Sequence, residues 1–200
     1  NTEYLSIAPT ADFDFGTGDF TIEAYVWADE LGSDHRCIFS TQYLDFKVST
    51  ARIRLYTDSG SYSLRYVPQR SWVHLMVCRS SGTFYVGVNG KVGFNGSPAS
   101  ATSMGSNTGA QIGRKIRSGT EGFDGHISNL RVIKGTALYT SDYTPPSLPL
   151  QNITNTKLLC CQSPTDPTAA AVTPGTITKN GNVQVSRFNP VDEGEMGVPN

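Results

Sequence analysis

Residues 123–150 read FDGHISNLRVIKGTALYTSDYTPPSLPL, and this run decides the fold. An aromatic-Asp-Gly turn at Phe123-Asp124-Gly125 leads into an alternating segment that ends at Lys134-Gly135. A short turn follows at Thr136–Tyr139, and Pro145-Pro146 stops the chain from continuing as a regular element. Alternation with period two is the mark of a half-buried strand, because neighbouring side chains point to opposite faces.

The same period runs through the N-terminal half. Phe20, Ile22, Ala24 and Val26 fall on one face, with Thr21, Glu23, Tyr25 and Trp27 on the other. Further strands are predicted at Arg36–Ser40, Tyr43–Val48, Arg52–Thr57, Ser61–Val67, Trp72–Arg79, Thr83–Val88, Lys91–Asn95, Ala110–Arg114 and Gly125–Ile133. Asp58-Ser59-Gly60 and Ser80-Ser81-Gly82 read as short hairpin connections, and Asn89-Gly90 as a type I′ turn. Residues 96–109 are small and polar and read as a surface loop. Short strands at about ten-residue spacing, with no helix-period segment longer than one turn, predict an all-β, two-sheet antiparallel sandwich. Its expected core comprises Phe20, Ile22, Val26, Val73, Leu75, Val77, Phe84, Val86, Val88, Ile127, Leu130 and Val132. Strict alternation from Ile127 selects Asn129 over Leu130, so a β-bulge near Asp124-Gly125 or Ser128 is required.

Composition shifts late in the chain: residues 1–142 hold three of the 11 prolines (Pro9, Pro68 and Pro98) and 143–200 hold the rest. Lys157–Cys161, Gly175–Lys179 and Val183–Ser186 still read as strands, with a turn at Asn180-Gly181. The reading is therefore one domain over 1–190, of which 143–190 is a Pro-rich closing segment, followed by a tail or linker stub at 191–200. Asn1-Thr2-Glu3-Tyr4 carries no initiator Met and no signal-peptide pattern, so a cleaved product or excised segment is expected.

Taken together, the Phe123–Leu150 run, Phe20-Thr21-Ile22-Glu23 and Val88-Asn89-Gly90 resemble the laminin-G-like jelly roll, a branch of the concanavalin-A-like lectin/glucanase fold. The wording resembles the copies of that module in structural proteins of marine bacterial viruses. The resemblance implies a non-enzymatic virion component, in capsid decoration, fibre or tail, which attaches to a glycan or host surface or reinforces the particle. It implies other virion proteins and cell-surface glycans as partners, many copies per particle, and assembly in a host cytoplasm. The alternative is a secreted, extracellular carbohydrate-binding or adhesion module of cellular origin.

Charge and chemistry narrow the function classes. With 16 basic and 17 acidic side chains the net charge is -1, which leaves no electrostatic footprint for nucleic acid or an anionic membrane. No apolar run approaches the roughly 18 residues needed to span a bilayer. Glycoside hydrolysis needs two carboxylates roughly 5–10 Å apart. The glutamates are Glu3, Glu23, Glu30, Glu121, Glu193 and Glu195, and none forms the Glu-x-Asp-x-x-Glu run of the glucanase relatives. No Gly-x-Ser-x-Gly elbow is present, and His35, His74 and His126 are scattered. His74 reads as a sheet-surface imidazole or a ligand contact. No catalytic residue is expected.

Tyr25, Trp27, Arg54 and Tyr56 are the candidate ligand-binding residues, because each projects opposite to a core row and pairs flat aromatic area with a guanidinium. Tyr62, Leu64 and Tyr66 form a further row. The same residues could instead lie under loops or the closing segment. Cofactors are not expected. Asp12, Asp14 and Asp19 frame one loop and are the first places to look for calcium, although Ser128-Asn129 stands where relatives often carry Asp-Glu. Cys37, Cys78, Cys160 and Cys161 lack a C-x-x-C spacing. They read as buried free thiols, with a Cys37–Cys78 disulfide as the alternative, and the adjacent pair is expected to point to opposite faces. The triplets Asn95-Gly96-Ser97 and Asn152-Ile153-Thr154 match glycosylation sequons, which matter only in a secretory setting.

Overall fold

The computed structural model describes residues 2–31, 35–57, 60–94, 104–105 and 108–191; at residues 61–64, 94 and 108 the description is of the backbone. The tail at 192–200, most of the 96–109 loop, Asp58-Ser59, the sequon at Asn95–Ser97 and the side chains of Tyr62 and Leu64 lie outside the described residues.

Among the described residues the strands are β1 (Tyr4–Thr10), β2 (Phe20–Ala28), β3 (His35–Thr41), β4 (Leu44–Ser49), β5 (Arg52–Thr57), β6 (Gly60–Tyr66) and β7 (Trp72–Ser80). They continue as β8 (Thr83–Val88), β9 (Lys91–Phe94), β10 (Thr108–Ile112), β11 (Gly125–Lys134), β12 (Thr156–Cys160), β13 (Ala170–Val172) and β14 (Ile177–Asn180). A single 3-10 turn occupies Ala11–Phe13. Seven strands form a first sheet in the order β14-β1-β10-β3-β4-β5-β6, and seven form a second in the order β13-β12-β11-β2-β7-β8-β9. All pairings are antiparallel, as the alternation predicts.

The core lies between the sheets. Ile22 sits between Val132 on β11 and Val77 on β7, so three apolar side chains line up across the second sheet. Opposite them, Phe46 and Val48 of β4 and Ile53 and Leu55 of β5 project from the first sheet. Of the expected core residues Ile127 alone is only partly buried, packing on the cluster from its edge. The required bulge is present: the β11–β2 register shifts between Ser128 and Arg131, and Asn129 takes φ 53°. Leu130 and Val132 thereby both face inward, fully buried.

Turn chemistry follows the expected rules at two hairpins and departs from them at a third. Asn89 and Gly90 have φ of 47° and 79°, and Ser81 and Gly82 have 47° and 82°, both pairs left-handed as tight hairpins need. Thr50 and Ala51, at 50° and 53°, do the same without a favourable residue type, held by the β4–β5 ladder on either side.

After β11 the chain becomes a strap. Residues 135–151 cross the outer face of the second sheet, where Leu138 N donates to Thr21 Oγ1 at 2.9 Å and Arg131 Nη1 donates to the Gln151 carbonyl at 2.8 Å. The later residues then supply edge strands to both sheets, β12 and β13 to one and β14 to the other. Val183–Ser186, expected as a strand, is irregular. β1 and β13 were not anticipated.

Gly90 fixes the strap to the β8–β9 hairpin. Tyr143 N donates to its carbonyl at 2.9 Å, and a Cβ on Gly90 would lie 2.0 Å from the Tyr143 carbonyl oxygen. Gly90→Ala therefore meets backbone as well as an unfavourable φ, and is expected to cost at least about 2 kcal/mol in urea unfolding. An unchanged unfolding midpoint would show that the strap does not bear on that hairpin.

Candidate functional site

Arg54 and Tyr56 lie on the outer face of the first sheet. On β4 and β5 the inward positions are apolar, while Asp45, Lys47, Arg54 and Tyr56 point outward, with Asp45 paired to Tyr56 and Lys47 to Arg54 across the strands. The loop between β10 and β11 is tied to β3 through Cys37 N to the Glu121 carbonyl (2.9 Å), Ser40 Oγ to the Arg114 carbonyl (2.9 Å) and Ile116 N to Ser40 Oγ (2.8 Å). Those bonds place Lys115, Arg117 and Glu121 beside the β4–β5 pairs.

The result is an ionic cluster around one ring. Glu121 accepts from Lys47 at 2.7 Å and from Lys115 at 2.8 Å, and Asp45 accepts from Arg117 at 3.3 Å, with Lys115 at 3.8 Å. Burial alone would raise the Glu121 carboxyl, but the two lysine hydrogen bonds outweigh it and hold it below its ordinary value. At Asp45, which is fully buried, desolvation wins over Arg117, Lys115 and Lys47, and the carboxyl is raised. Lys47, Lys115 and Arg117 approach the Tyr56 ring at 5.4, 5.7 and 5.0 Å from its centroid. His35 lies at the same end of the sheet, paired with Ser49, and burial and the positive charge of Lys47 lower its pKa. Among the described residues the buried Asp45 Oδ1, Arg54 Nε and His35 Nδ1 have no hydrogen-bond partner.

Tyr25 and Trp27 lie on the opposite side of the sandwich, so the four expected ligand residues do not share a face. The strap covers Tyr25, which is 7% exposed and donates its hydroxyl to the Pro146 carbonyl. Burial and the Glu23 charge push that hydroxyl up to about 12. Trp27 packs against Phe188, ring centroids 4.7 Å apart, and its indole N–H donates to Asp29 at 3.1 Å. The alternative reading, that these rings lie under the closing segment, holds for both: residues more than a hundred positions later return to cover them.

The expectation that His74 is a surface imidazole is corrected for the same reason. His74 is fully buried, with Nε2 3.0 Å from Glu23 and Nδ1 2.7 Å from the Tyr143 hydroxyl. Glu23, itself fully buried, also accepts from Arg131 at 2.6 and 2.9 Å and from the Tyr139 hydroxyl at 3.0 Å. This network joins β2, β7 and β11 to the strap. With both oxygens taken and no exposed surface, Glu23 has no route to a substrate.

The three loop aspartates have separate partners. Asp14 accepts from Gly16 N at 3.1 Å, Asp19 from Ser81 N at 2.8 Å, and Asp12 pairs with Lys157 at 3.2 Å. Among the described residues no group of three His, Cys, Asp or Glu side chains is placed to hold a metal ion. All four cysteines are free thiols. The Cys160 and Cys161 sulfurs are 3.5 Å apart, not on opposite faces, because Cys161 has left the strand with φ 61°.

A second concavity was not legible in the sequence. A cleft of about 770 Å³ opens between residues 182–189 and the ends of β1, β7 and β11, walled by Tyr4, Trp72, Phe123, His126, Gln162 and Phe188. The Trp72 indole N–H is buried there without a partner among the described residues. Its walls come from segments up to about 180 residues apart, with no common motif.

Two face-to-face antiparallel sheets, a strap over one and a half-buried charged face on the other define a concanavalin-A-like jelly-roll module. The chain belongs to the Laminin_G_3 family, described as the Concanavalin A-like lectin/glucanases superfamily, which matches residues 1–139. No curated protein matches the sequence. Among solved structures it is similar to a proposed carbohydrate-binding protein of Bacteroides ovatus ATCC 8483. That match has 18% identity and a TM-score of 0.65, and it covers 91% of this chain and 58% of that one. It is also similar to the heptameric SAP-like pentraxin of Limulus polyphemus, at 14% identity and a TM-score of 0.53, over 68% of this chain and 72% of that one. Domain 4 of the extracellular arabinanase AbnA of Geobacillus stearothermophilus gives 17% identity and a TM-score of 0.51, over 66% of both chains. At these identities the likeness is one of fold.

Proposed function

We propose that the chain is a non-enzymatic saccharide-binding module that serves attachment, with the outer face of its first sheet as the ligand site. The observation that carries this reading is the pairing of half-buried Arg54 and Tyr56 on a face edged by residues 114–121, where the buried Arg54 Nε and His35 Nδ1 lack hydrogen-bond partners among the described residues. A guanidinium beside hydroxyl and imidazole groups suits sugar hydroxyls and carboxylates. Support also comes from relatives of the same fold, one described as a proposed carbohydrate-binding protein and one solved in complex with arabinotriose.

The carboxylates of that face support the reading that it carries out no turnover. Hydrolysis needs one carboxyl that reaches the glycosidic oxygen and a second facing it. Asp45 is fully buried behind Arg117 and Lys115, and Glu121 is held ionised by two lysines. As the setting, the proposal takes a virion, in capsid decoration, fibre or tail, where many copies turn a weak site into firm attachment. The wording of residues 123–150 and four free thiols, as in a chain assembled in a reducing cytosol, support it. A secreted cellular module would use the same face.

A second reading places the saccharide in the 770 Å³ cleft, favoured by its size and by the unpaired Trp72 indole. A glycan array on wild type, Arg54→Ala and Trp72→Leu separates the two. Loss of a charge-assisted hydrogen bond is expected to weaken binding by about tenfold or more in Arg54→Ala and to leave Trp72→Leu close to wild type. The reverse pattern moves the site to the cleft. Wild type that binds no glycan contradicts the proposal.

A further inference from the structure

We infer that the saccharide taken by the Arg54–Tyr56 face is anionic, carrying a carboxylate or sulfate group; this rests on the saccharide-binding reading above. The first argument is the state of the Tyr56 ring. Neutral sugar recognition usually stacks the apolar side of a pyranose on a free aromatic face. Tyr56 already has three cations around it, Lys47, Lys115 and Arg117, at 5.0–5.7 Å from the ring centroid. Its electron-rich surface is taken up in holding those cations, which leaves it a poor stacking platform.

The second argument is charge. The face carries Lys47, Arg52, Arg54, Lys115 and Arg117 against Asp45 and Glu121, three positive charges in excess on a chain whose net charge is -1. Both carboxylates are engaged by Lys47, Lys115 and Arg117, and neither by Arg54. Arg54 has no carboxylate partner among the described residues, and its terminal nitrogens, unlike its buried Nε, are not closed off from a ligand. A ligand carboxylate or sulfate supplies the missing anion, and the planar guanidinium can meet its two oxygens at once. Lys115 and Arg117 have side chains 18% and 20% exposed, so they can add long-range attraction while still bound to their own carboxylates. The ring hydroxyls of a sugar remain for the Tyr56 hydroxyl and His35.

The test is titration calorimetry of the folded chain with four polymers: polygalacturonate, dextran sulfate, neutral dextran and poly-L-glutamate, each at low and raised salt. Either acidic polysaccharide is expected to bind at least about tenfold tighter than dextran, to weaken as salt shortens the range of the attraction, and to lose that advantage in Arg54→Ala. Which of the two binds tells carboxylate from sulfate. Arg54→Lys keeps the charge without the fork, and intermediate binding is expected from it. Melting temperatures of both variants equal to wild type show that loss of binding is not loss of folding. Equal binding of dextran and the acidic polymers through Arg54, or binding only of neutral glycans on the array, overturns the inference and leaves the saccharide reading standing. Poly-L-glutamate binding as tightly as polygalacturonate overturns it too, by assigning the face to acidic chains in general. No binding of any polymer or arrayed glycan removes both.

Discussion

Replacing Glu23 with alanine is expected to destabilise the fold by about 3–5 kcal/mol, the cost of leaving buried charges without their partner. Glu23 is fully buried and joins Arg131, His74 and the Tyr139 hydroxyl, and His74 in turn meets Tyr143. Removing the carboxylate leaves the nearly buried Arg131 guanidinium without a counter-charge and the buried His74 imidazole without its hydrogen-bond partner. The strap should loosen first, so amide exchange at residues 136–146 is expected to rise more than exchange in β8. Glu23→Gln keeps the shape and tests the charge alone. Burial by itself would raise this carboxyl, but the His74 hydrogen bond and the Arg131 charge outweigh it and hold it below its ordinary value of 4.5. A lowered pKa in the fold means that the unfolded chain takes up the proton first. The stability contributed by Glu23 is therefore complete above about pH 4.5 and is lost as the pH falls through the lower, folded value. Melting temperature against pH should fall in acid for wild type and fall less steeply for Glu23→Gln. Identical slopes would show that the network does not couple to folding.

Arg79→Leu is expected to cost roughly 3 kcal/mol. Arg79 is 1% exposed, yet its place among the strand residues of β7 gives no sign of this. Its guanidinium donates to the carbonyls of Gly18 at 2.7 Å, Gly16 at 2.8 Å and Phe15 at 3.2 Å, while the rings of Phe20 and Phe84 lie 5.4 and 5.8 Å away. Burial lowers its pKa to about 10, so it remains charged at neutral pH. Leucine fills part of the volume but leaves those carbonyls without their donor, a penalty of about 1–3 kcal/mol for each group that water cannot reach. Urea unfolding should show the loss, and faster amide exchange at Gly16 and Gly18 should locate it. A midpoint within error of wild type would mean that water replaces the guanidinium without cost.

How much of this was legible in the sequence depends on the range of the interaction. Period-two alternation in Phe20–Trp27 placed the core face correctly, and the clash between Ile127 and Leu130 called for the bulge that Asn129 forms. Asn89-Gly90 is a turn because its residue types tolerate left-handed backbone, whereas Thr50-Ala51 has none of that chemistry and is forced by the strands it joins. Val183–Ser186 alternates but joins neither sheet, since alternation alone does not supply a pairing partner. Arg54 and Tyr56 could be placed on one face from their spacing of two. Lys115, Arg117 and Glu121 could not, because they reach that face through hydrogen bonds to β3 about 75–85 residues earlier. Tyr25, Trp27 and His74 had their direction right, and what closes them comes from far along the chain: the strap over Tyr25 and His74, and Phe188 against Trp27, the cover by the closing segment that the sequence left open as the alternative for the two aromatic residues.

The most direct test of the central claim is one titration, read in two ways, of the purified chain with the oligosaccharide that binds best on the array. Heat reports binding, and reducing-end assay of the same sample reports turnover. Saturable binding at one site per chain, abolished or weakened about tenfold in Arg54→Ala, with no new reducing ends after prolonged incubation, is the expected result. New reducing ends in proportion to protein concentration, or binding that survives Arg54→Ala unchanged, would contradict it.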